Sequence, residues 1–416
     1  MHRSLKDMLV IGFALFSMFF GAGNVIFPPY LGLGSGAEWF AGFAWYYLAD
    51  IGLALVAIFA ILRAGSTGAV MGRIGKVPSK ALLCAIVLCI GPMLAIPRTA
   101  ATTHEMAVAP LFPAVPALPF SIAFFLLIGG ICIRKSAVVD IVGKVLTPAL
   151  VIGLLLLILL GVVDPIGPIP TTGALVESVA QTGIEAGYQT MDVLAAVLFG
   201  GLILSSALDK GYTDPKQQGK VVAGASLIAG LALMVVYLGL TYLGVTTSAL
   251  FDLSVSRTTL MVTIVQTLLG DWGLWLFALI VALACITTAA ALVSAAADFF
   301  AGLLPLSYEK MVVIVCLFST AAANFGLDTI VSIAAPILNI VYPPTLVVVG
   351  MSFLEKKLPD HTAVRLAALG ALAVSLAQTA GMAFTASLPL AGLGFPWLVP
   401  ALVCGGVGFA VSKARQ

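Results

Sequence analysis

Long apolar stretches recur from one end of the chain to the other, and this feature restricts the fold more than any other. Hydrophobic residues make up 61% of the 416 residues and charged residues only 9%, against about 25% charged residues in soluble domains. A membrane-crossing helix needs about 20 consecutive apolar residues, so the chain accommodates about twelve spans joined by short loops. The sequence therefore predicts an all-α polytopic membrane protein, with no length left for a soluble catalytic domain.

The basic residues predict how these spans are oriented in the membrane. All but two of the 20 Lys and Arg residues fall in alternate predicted loops or at the two ends of the chain. Because cytoplasmic loops collect Lys and Arg, we expect both termini to be cytoplasmic and the number of spans to be even. The two exceptions are Arg257, predicted on the outer side, and Arg98, within a span. The net charge of +2 reflects this loop bias and indicates no nucleic-acid partner.

The first apolar segment contains a stretch that weakens a helix, Gly21-Ala22-Gly23-Asn24. Each glycine costs about 1 kcal/mol relative to alanine in a helix, and lipid offers the Asn24 amide no partner. A break at membrane depth is tolerated only where the freed backbone groups line a cavity or bind something. We therefore expect the first span to break here and to form half of a substrate and ion site. The alternative is close helix–helix contact through small residues.

A second candidate break lies in the sixth predicted span, at Phe199-Gly200-Gly201. Five spans separate it from the first, so the two segments would cross the bilayer in opposite directions. Interrupted helices at corresponding positions of two inverted halves are the best sequence pointer to a transporter site. Close helix packing explains these two glycines equally well, so both interpretations stay open.

Polar and charged residues inside other spans are further candidates. Thr287 and Thr288 are adjacent hydroxyls deep in the eighth span; they could bind a hard cation such as Na⁺, or each could bond a carbonyl of its own helix. Asp50 could form a structural contact in the bundle or carry a coupling proton. At 1.5 Å per residue, Arg98 is predicted near the outer boundary of the third span.

Motifs for enzymatic chemistry and for ATP use are missing from the sequence. The pair His104-Glu105 lacks the His-x-x-x-His spacing of a zinc helix, and neither a Gly-x-Ser-x-Gly elbow nor a Walker loop occurs. The six cysteines include no Cys-x-x-Cys pair. We therefore predict no catalytic residues and no ATP-binding partner.

In the outer connections, residues 254–268 are predicted to form a short helix over the outer mouth.

Three motifs resemble signatures of a known family. Residues 19–29, 91–100 and 338–344 are similar to the first-, third- and tenth-helix motifs of bacterial branched-chain amino acid carriers, the BrnQ proteins of the LIVCS family of cation symporters. The resemblance implies a multi-pass protein of the bacterial cytoplasmic membrane that imports leucine, isoleucine and valine. It also implies Na⁺ as the coupling ion, or H⁺ as in some members; a channel is a less favoured alternative.

The resemblance further implies a LeuT-like fold, a five-plus-five inverted repeat followed by two helices. The first repeat would cover residues 1–162 and the second residues 189–353, joined by an extracellular connection over residues 163–188. Residues 354–416 would form helices 11 and 12.

Carried over by position, the family's site falls on both candidate breaks and on the eighth span. Substrate would be bound at six residues, the first two offering backbone N–H groups to its carboxylate: Ala22, Gly23, Asn24, Phe199, Gly200 and Gly201. Sodium would be bound by carbonyl groups and by two threonine hydroxyls: Ser17, Phe20, Ala284, Thr287 and Thr288.

Overall fold

The computed structural model describes residues 2–133, 138–358 and 360–415, and every regular element there is helical. Among these residues, seven helical stretches are long and apolar enough to cross a membrane, by length and composition. Three shorter apolar helices accompany them. The prediction of an all-α protein with many apolar spans is thereby confirmed.

The first half of the chain forms helices that are repeatedly interrupted. They are α1 (His2–Phe19), α2 (Ala22–Ser35), α3 (Trp39–Tyr47), α4 (Leu53–Ala64), α5 (Thr67–Met71), α6 (Lys76–Leu88), α7 (Ala95–Thr103), α8 (Ala117–Ile133) and α9 (Val138–Val163). Wider π-helical turns join α3 to α4, connect α6 towards α7 and extend α7: Leu48–Gly52, Cys89–Met93 and His104–Val108. Such turns in a membrane helix frequently mark functional positions.

The second half contains longer helices. They are α10 (Val179–Thr190), α11 (Asp192–Asp209), α12 (Pro215–Val245), α13 (Arg257–Leu303), α14 (Tyr308–Ala323), α15 (Leu327–Ser352), α16 (Thr362–Thr379) and α17 (Leu398–Ala414). Helix α13 bends sharply at Gly270, where φ is 65° and ψ is −166°. Its first part, from Arg257 to the bend, confirms the short helix that the sequence predicts within residues 254–268.

Hydroxyl and carboxylate side chains determine where several helices begin. The side chains of four residues each accept a hydrogen bond from the backbone N–H three residues later: Ser178, Asp214, Ser256 and Ser307. These bonds satisfy N–H groups that a helix start otherwise leaves without a partner. Each cap lies in a connection between apolar segments, so the polar residues of the loops position the spans.

Helix α10 begins at Val179, ten residues before the predicted start of the sixth span at 189. The difference arises because this helix is only half apolar. It buries Ile184 and Tyr188 against the bundle, whereas Gln181 is half-buried and Glu185 is exposed. Averaged along the chain, such a helix has too little hydropathy to be recognised as a span. The sixth span therefore starts inside the stretch predicted as an extracellular connection.

Glycines bring the interrupted helices close to their neighbours. A Cβ atom on Gly244 of α12 would collide with the backbone of Pro29 in α2. One on Gly187 of α10 would lie 2.8 Å from the Cβ of Ala49 and 3.0 Å from the backbone nitrogen of Asp50. Small residues permit this close approach of helices. As a result, α2 packs along α12, and α10 packs against α3 and the π-helical turn that carries Asp50.

Candidate site at two helix breaks

The first helix breaks where the sequence predicts it. Helix α1 ends at Phe19 and α2 begins at Ala22. Between them, Gly21 has extended backbone angles of φ −108° and ψ −176°. Because Gly21 has no side chain, the first turn of α2 receives no side-chain cap, and its first N–H groups have no acceptor within the helix. The break therefore presents backbone donors at the start of α2.

Asn24 connects this break to distant parts of the chain. Its side chain is 1% exposed. The Nδ2 group donates to Oδ2 of Asp192 at 2.9 Å and also to the hydroxyl of Tyr237 on α12. The amide that lacked a partner in the sequence is thus satisfied by two buried side chains. Asn24 joins the start of α2 to the start of α11.

The second break lies at Met191, and the predicted position at Phe199–Gly201 is wrong. Helix α10 ends at Thr190, Met191 has left-handed backbone angles of φ 65° and ψ 17°, and α11 runs without interruption from Asp192 to Asp209. Gly200 instead faces α4, where a Cβ would lie 2.5 Å from Cδ1 of Ile61. Its small size serves helix packing, which is the alternative that the sequence left open.

Side chains from two other segments hold the second break. The hydroxyl of Thr190 donates to Oδ1 of Asp50 at 2.7 Å and lies 2.6 Å from the carbonyl oxygen of Gly187. Nη1 of Arg98 donates to the carbonyl oxygen of Gln189 at 2.6 Å. A cation is favourable at the carboxyl end of a helix, and here it also satisfies a carbonyl that α10 leaves free.

The prediction that Arg98 lies near the outer boundary of its span is also wrong. The third segment is not a straight helix, since Gly91 has non-helical angles of φ −100° and ψ −130° beside Pro92. Counting residues at a constant rise therefore misplaces every residue beyond this bend. Arg98 is 4% exposed, and its guanidinium lies 5.5 Å from the ring centre of Phe27 in α2. It lies inside the bundle, between the two breaks.

Five polar residues thus form one buried cluster, which we call the break cluster: Asn24, Asp50, Arg98, Thr190 and Asp192. None is more than 5% exposed. Sequence reasoning missed Asp192, although an acidic residue at the start of an apolar span was a usable signal. Buried charges in a membrane protein are costly and mark functional positions by default.

A small cavity separates the two breaks. Its polar lining includes Asn24, Arg98, Asp192 and Thr288. The remaining side chains are mostly apolar and come from α1, α11, α13 and the third segment: Met18, Phe19, Ile90, Ala195, Phe199 and Leu292. A few convergent polar groups in an apolar pocket are typical of a small-molecule site.

The predicted substrate residues are distributed unevenly around this cavity. Asn24 and Phe199 line it. Gly23 lies against Arg98, and Ala22 begins α2 beside it. Gly200 faces Ile61, and Gly201 is exposed with no atom within 4 Å of the position of a Cβ. Only part of the predicted set is therefore brought together at the cavity.

The predicted sodium residues lie around the first break and on α13. Thr288 lines the cavity, with its methyl group 3.8 Å from the position of a Cβ on Gly21. The hydroxyl of Thr287 lies 2.9 Å from the carbonyl oxygen of Ala284, one turn earlier on the same helix. Ser17 is in the last turns of α1, and Phe20 lies in the break itself. Unwound carbonyls beside hydroxyl groups form a donor set that suits Na⁺.

Polar contacts also connect the helix ends that the sequence predicts on the outer side. Arg257 at the start of α13 donates to Asp328 of α15, and its guanidinium lies 4.4 Å from the ring centre of Tyr30 in α2. Glu105 accepts from the hydroxyl of Thr258 at 2.9 Å.

A second, larger cavity is bounded by α15, α16 and α17. Its volume is about 550 Å³, against about 50 Å³ between the breaks. Its lining is apolar apart from Lys357. It therefore offers no pair of opposite charges to a polar ligand. Although it is larger, its lining makes it a poorer candidate for a polar substrate than the cavity between the breaks.

Comparison with known proteins identifies the relatives of the chain. Residues 4–415 match the family described as branched-chain amino acid transport protein. The branched-chain amino acid transport system 2 carrier protein of Pseudomonas aeruginosa is 34% identical over 413 residues, covering 96% of this chain and 94% of the relative. The branched-chain amino acid permease BraB of Bacillus subtilis is 33% identical over 429 residues, covering 98% and 96%.

Solved transporter structures share the fold. The nucleobase-cation-symport-1 family transporter Mhp1, closed around bromovinylhydantoin, matches with a TM-score of 0.66 at 13% identity, covering 98% of this chain and 93% of that one. MhsT in complex with L-phenylalanine matches with a TM-score of 0.60 at 16% identity, covering 97% and 98%. The relatives are carriers and permeases rather than enzymes, and the apolar helices make this a multi-pass membrane protein. The chain belongs to the family of branched-chain amino acid transport proteins.

Proposed function

We propose that this protein imports leucine, isoleucine and valine across the bacterial cytoplasmic membrane by Na⁺ symport. The observation that carries the proposal is the cavity between two broken helices, bordered by charged groups and apolar side chains. The names of the relatives supply the class of substrate. An apolar pocket selects branched aliphatic side chains, although one methylene changes affinity by only about 1–3 kcal/mol.

The proposed mechanism is alternating access around this cavity. Substrate binds between the two breaks, and Na⁺ binds between the Ser17–Phe20 stretch and Thr287 and Thr288 of α13. One helix bundle then rocks against the other and exposes both to the cytoplasm. The proposal includes twelve spans with cytoplasmic termini, a first repeat over residues 1–162 and final helices within 354–416. The second repeat, predicted over 189–353, begins earlier with α10 at Val179, which shortens the predicted extracellular connection 163–188.

The test is uptake of labelled leucine into liposomes with the Na⁺ and pH gradients set independently. We expect leucine to accumulate above its external concentration when Na⁺ is high outside, and to stop accumulating when Na⁺ is equal on both sides. Passive equilibration without accumulation would contradict a carrier and favour a channel. Leucine, isoleucine and valine should compete with one another.

Replacement of both threonines tests the sodium site. The double variant T287A/T288A should need at least about tenfold more Na⁺ for half-maximal uptake, since a lost ligand to an ion costs at least one charge-assisted contact. The matched control is Thr320→Ala in α14, whose hydroxyl also bonds its own helix, at 2.8 Å from the carbonyl oxygen of Cys316. An unchanged Na⁺ requirement in T287A/T288A would contradict this sodium site.

A proton-coupled carrier of the same substrates is the second candidate. It is favoured by the two buried carboxyl groups of Asp50 and Asp192 in the break cluster. In that case a pH gradient alone should drive accumulation, and T287A/T288A should transport normally. The liposome experiment separates the two, because each gradient is imposed without the other.

A further inference from the structure

Arg98 bridges the ends of two broken helices that have opposite polarity. Nη1 donates to the carbonyl end of α10 at Gln189, where a cation is favourable. On its other side, Nη2 lies 2.8 Å and Cζ lies 3.0 Å from the position of a Cβ on Gly23, in the first turn of α2. The amino end of a helix favours an anion instead. The positively charged guanidinium therefore lies beside the positive end of α2, and the two repel each other. An anion bound between them would be attracted by both.

No carboxylate among the described residues forms a direct ion pair with Arg98 within 4.0 Å. Within residues 2–133, 138–358 and 360–415, the ion pairs closer than 4.0 Å are Arg73–Glu355, Lys210–Asp7 and Arg257–Asp328. Arg98 is in none of them, although it is 4% exposed and lines the cavity. A guanidinium presents five N–H donors in a planar fork that matches a carboxylate. The group that would complete this arrangement is a carboxylate entering from the cavity.

The opposite charge lies one residue further along α2. Gly23 faces Arg98, whereas Asn24 donates to Asp192. Asp192 lines the same cavity and is 4% exposed. The Asn24 amide gives it a neutral N–H donor, the carboxyl of Asp50 lies beside it, and Arg98 acts on it without a direct ion pair. The two charged groups thus flank adjacent residues of α2, whose Cα atoms are about 3.8 Å apart. A short spacing of this kind suits the ammonium and the carboxylate, which are attached to one carbon of an amino acid.

We propose that Arg98 and Asp192 form a clamp for the zwitterion of the substrate, with Arg98 binding the α-carboxylate and Asp192 the α-ammonium. The carboxylate would also accept the free N–H groups at the start of α2. The substrate side chain would then lie among the apolar residues of the cavity, such as Ile90, Ala195 and Phe199. This inference rests on the proposed function and names the residues that recognise the backbone of the amino acid.

The clamp predicts how ligands that lack one charge will bind. Purified protein in detergent would be titrated with leucine, with leucinamide, which has no carboxylate, and with 4-methylpentanoate, which has no ammonium. Thermal stabilisation would report each dissociation constant. Wild-type protein should prefer leucine to both analogues by at least about 100-fold, because a site built for a polar group rejects the analogue lacking it.

Arg98→Gln should remove one preference and keep the other. Leucine and 4-methylpentanoate should each bind at least about 30-fold more weakly, because a buried charge partner is lost, while leucinamide should change less than about threefold. Asp192→Asn should weaken leucine and leucinamide together and spare 4-methylpentanoate. The matched control is Arg73→Gln, a buried arginine paired with Glu355 outside the cavity, which should preserve both preferences.

Equal weakening of all three ligands in Arg98→Gln would overturn the clamp, because it would mean that Arg98 only supports α10 through Gln189. Unchanged leucine binding would overturn it as well. If Arg98→Gln does not fold, Arg98→Lys keeps the charge without the fork; it should weaken leucine by about tenfold and spare leucinamide, and equal losses would again overturn the proposal. The dissociation constants are measured in detergent solution and do not depend on transport. The clamp and the proposed Na⁺ symport can therefore be contradicted separately.

Discussion

The two helix breaks have similar positions in the site but are built differently. At the first, Gly21 adopts extended angles that any residue can adopt, and the nearest atoms to a Cβ there are 3.8 Å and 3.9 Å away. At the second, Met191 is one of two non-glycine residues with positive φ in the described part of the chain. Its side chain is only 2% exposed. The backbone of the first break is locally unstrained, whereas that of the second depends on surrounding contacts.

This difference shows what stabilises each break. Left-handed angles cost a residue with a side chain about 1–2 kcal/mol, so Met191 keeps them only because its neighbours are held firmly. Thr190 is held by Asp50, Gln189 by Arg98 and Asp192 by Asn24. Strained backbone of this kind persists where the surrounding structure determines it, and it clusters at ligand sites.

Thr190→Val should destabilise the protein markedly, and it should act on the second break alone. It removes the hydroxyl that donates to buried Asp50, which costs about 1.5–3 kcal/mol for a hydrogen bond to a charged group. Denaturation in detergent micelles would measure the loss. Thr190→Ser keeps the hydroxyl and should recover most of the stability. Unchanged stability in Thr190→Val, which keeps the methyl group, would show that the bond to Asp50 does not stabilise the break.

Gly23→Ala and Gly21→Ala should differ strongly although they lie two residues apart. A Cβ on Gly23 meets Arg98 at 2.8 Å and Cε2 of Phe27 at 3.1 Å, and such overpacking costs about 1–3 kcal/mol. We expect leucine binding to weaken about tenfold or more in Gly23→Ala. Gly21→Ala meets only ordinary contacts and should stay within about threefold of wild type. The reverse order of the two binding constants would contradict the geometry of the first break.

Substitutions at Met191 should reverse the usual order of alanine and glycine. Both lose the buried side chain, at a cost of about 2–5 kcal/mol. Glycine alone relieves the left-handed strain, so Met191→Gly should be more stable than Met191→Ala by about 1 kcal/mol. In an ordinary helix alanine is the better residue by a similar amount. Unfolding free energies with alanine ahead would mean that Met191 is not a break.

Gly201→Ala should have the smallest effect, and it tests whether the second break lies at Met191 rather than at Phe199–Gly201. Nothing lies within 4 Å of a Cβ at this position, and α11 is continuous through it. Alanine should therefore leave leucine binding unchanged and stabilise the helix by up to about 1 kcal/mol. A marked loss of leucine binding, measured on the purified variant, would restore the sequence prediction that Gly201 faces the substrate.

The sequence predicts the parts of the fold that depend on local composition. Apolar content and the distribution of basic residues indicate a polytopic helical protein, and the Gly21–Asn24 stretch marks its own break. The break cluster could not be predicted in this way. It joins Asn24, Asp50, Arg98 and Thr190–Asp192, which are distant along the chain and meet only in the packed bundle.

The second break shows the same limit most clearly. Two adjacent glycines at Gly200 and Gly201 are a stronger local signal than Thr190-Met191-Asp192, yet one of them accommodates Ile61 and the other is exposed. Local propensity cannot distinguish a glycine that permits packing from one that permits a break. The usable signal was polar instead: Gln189, Thr190 and Asp192 lie close together where an apolar span begins.

Our proposal that the substrate binds between the two breaks can be tested directly with a photoreactive leucine that carries a diazirine in its side chain. After irradiation of the purified protein, mass spectrometry would locate the labelled residues, with excess leucine as competitor. We predict leucine-sensitive label on peptides that contain Met18, Ile90, Ala195 or Phe199, which line the small cavity. Leucine-sensitive label confined to the larger cavity, around Met351, Trp397 and Leu402, would contradict a site at the two breaks.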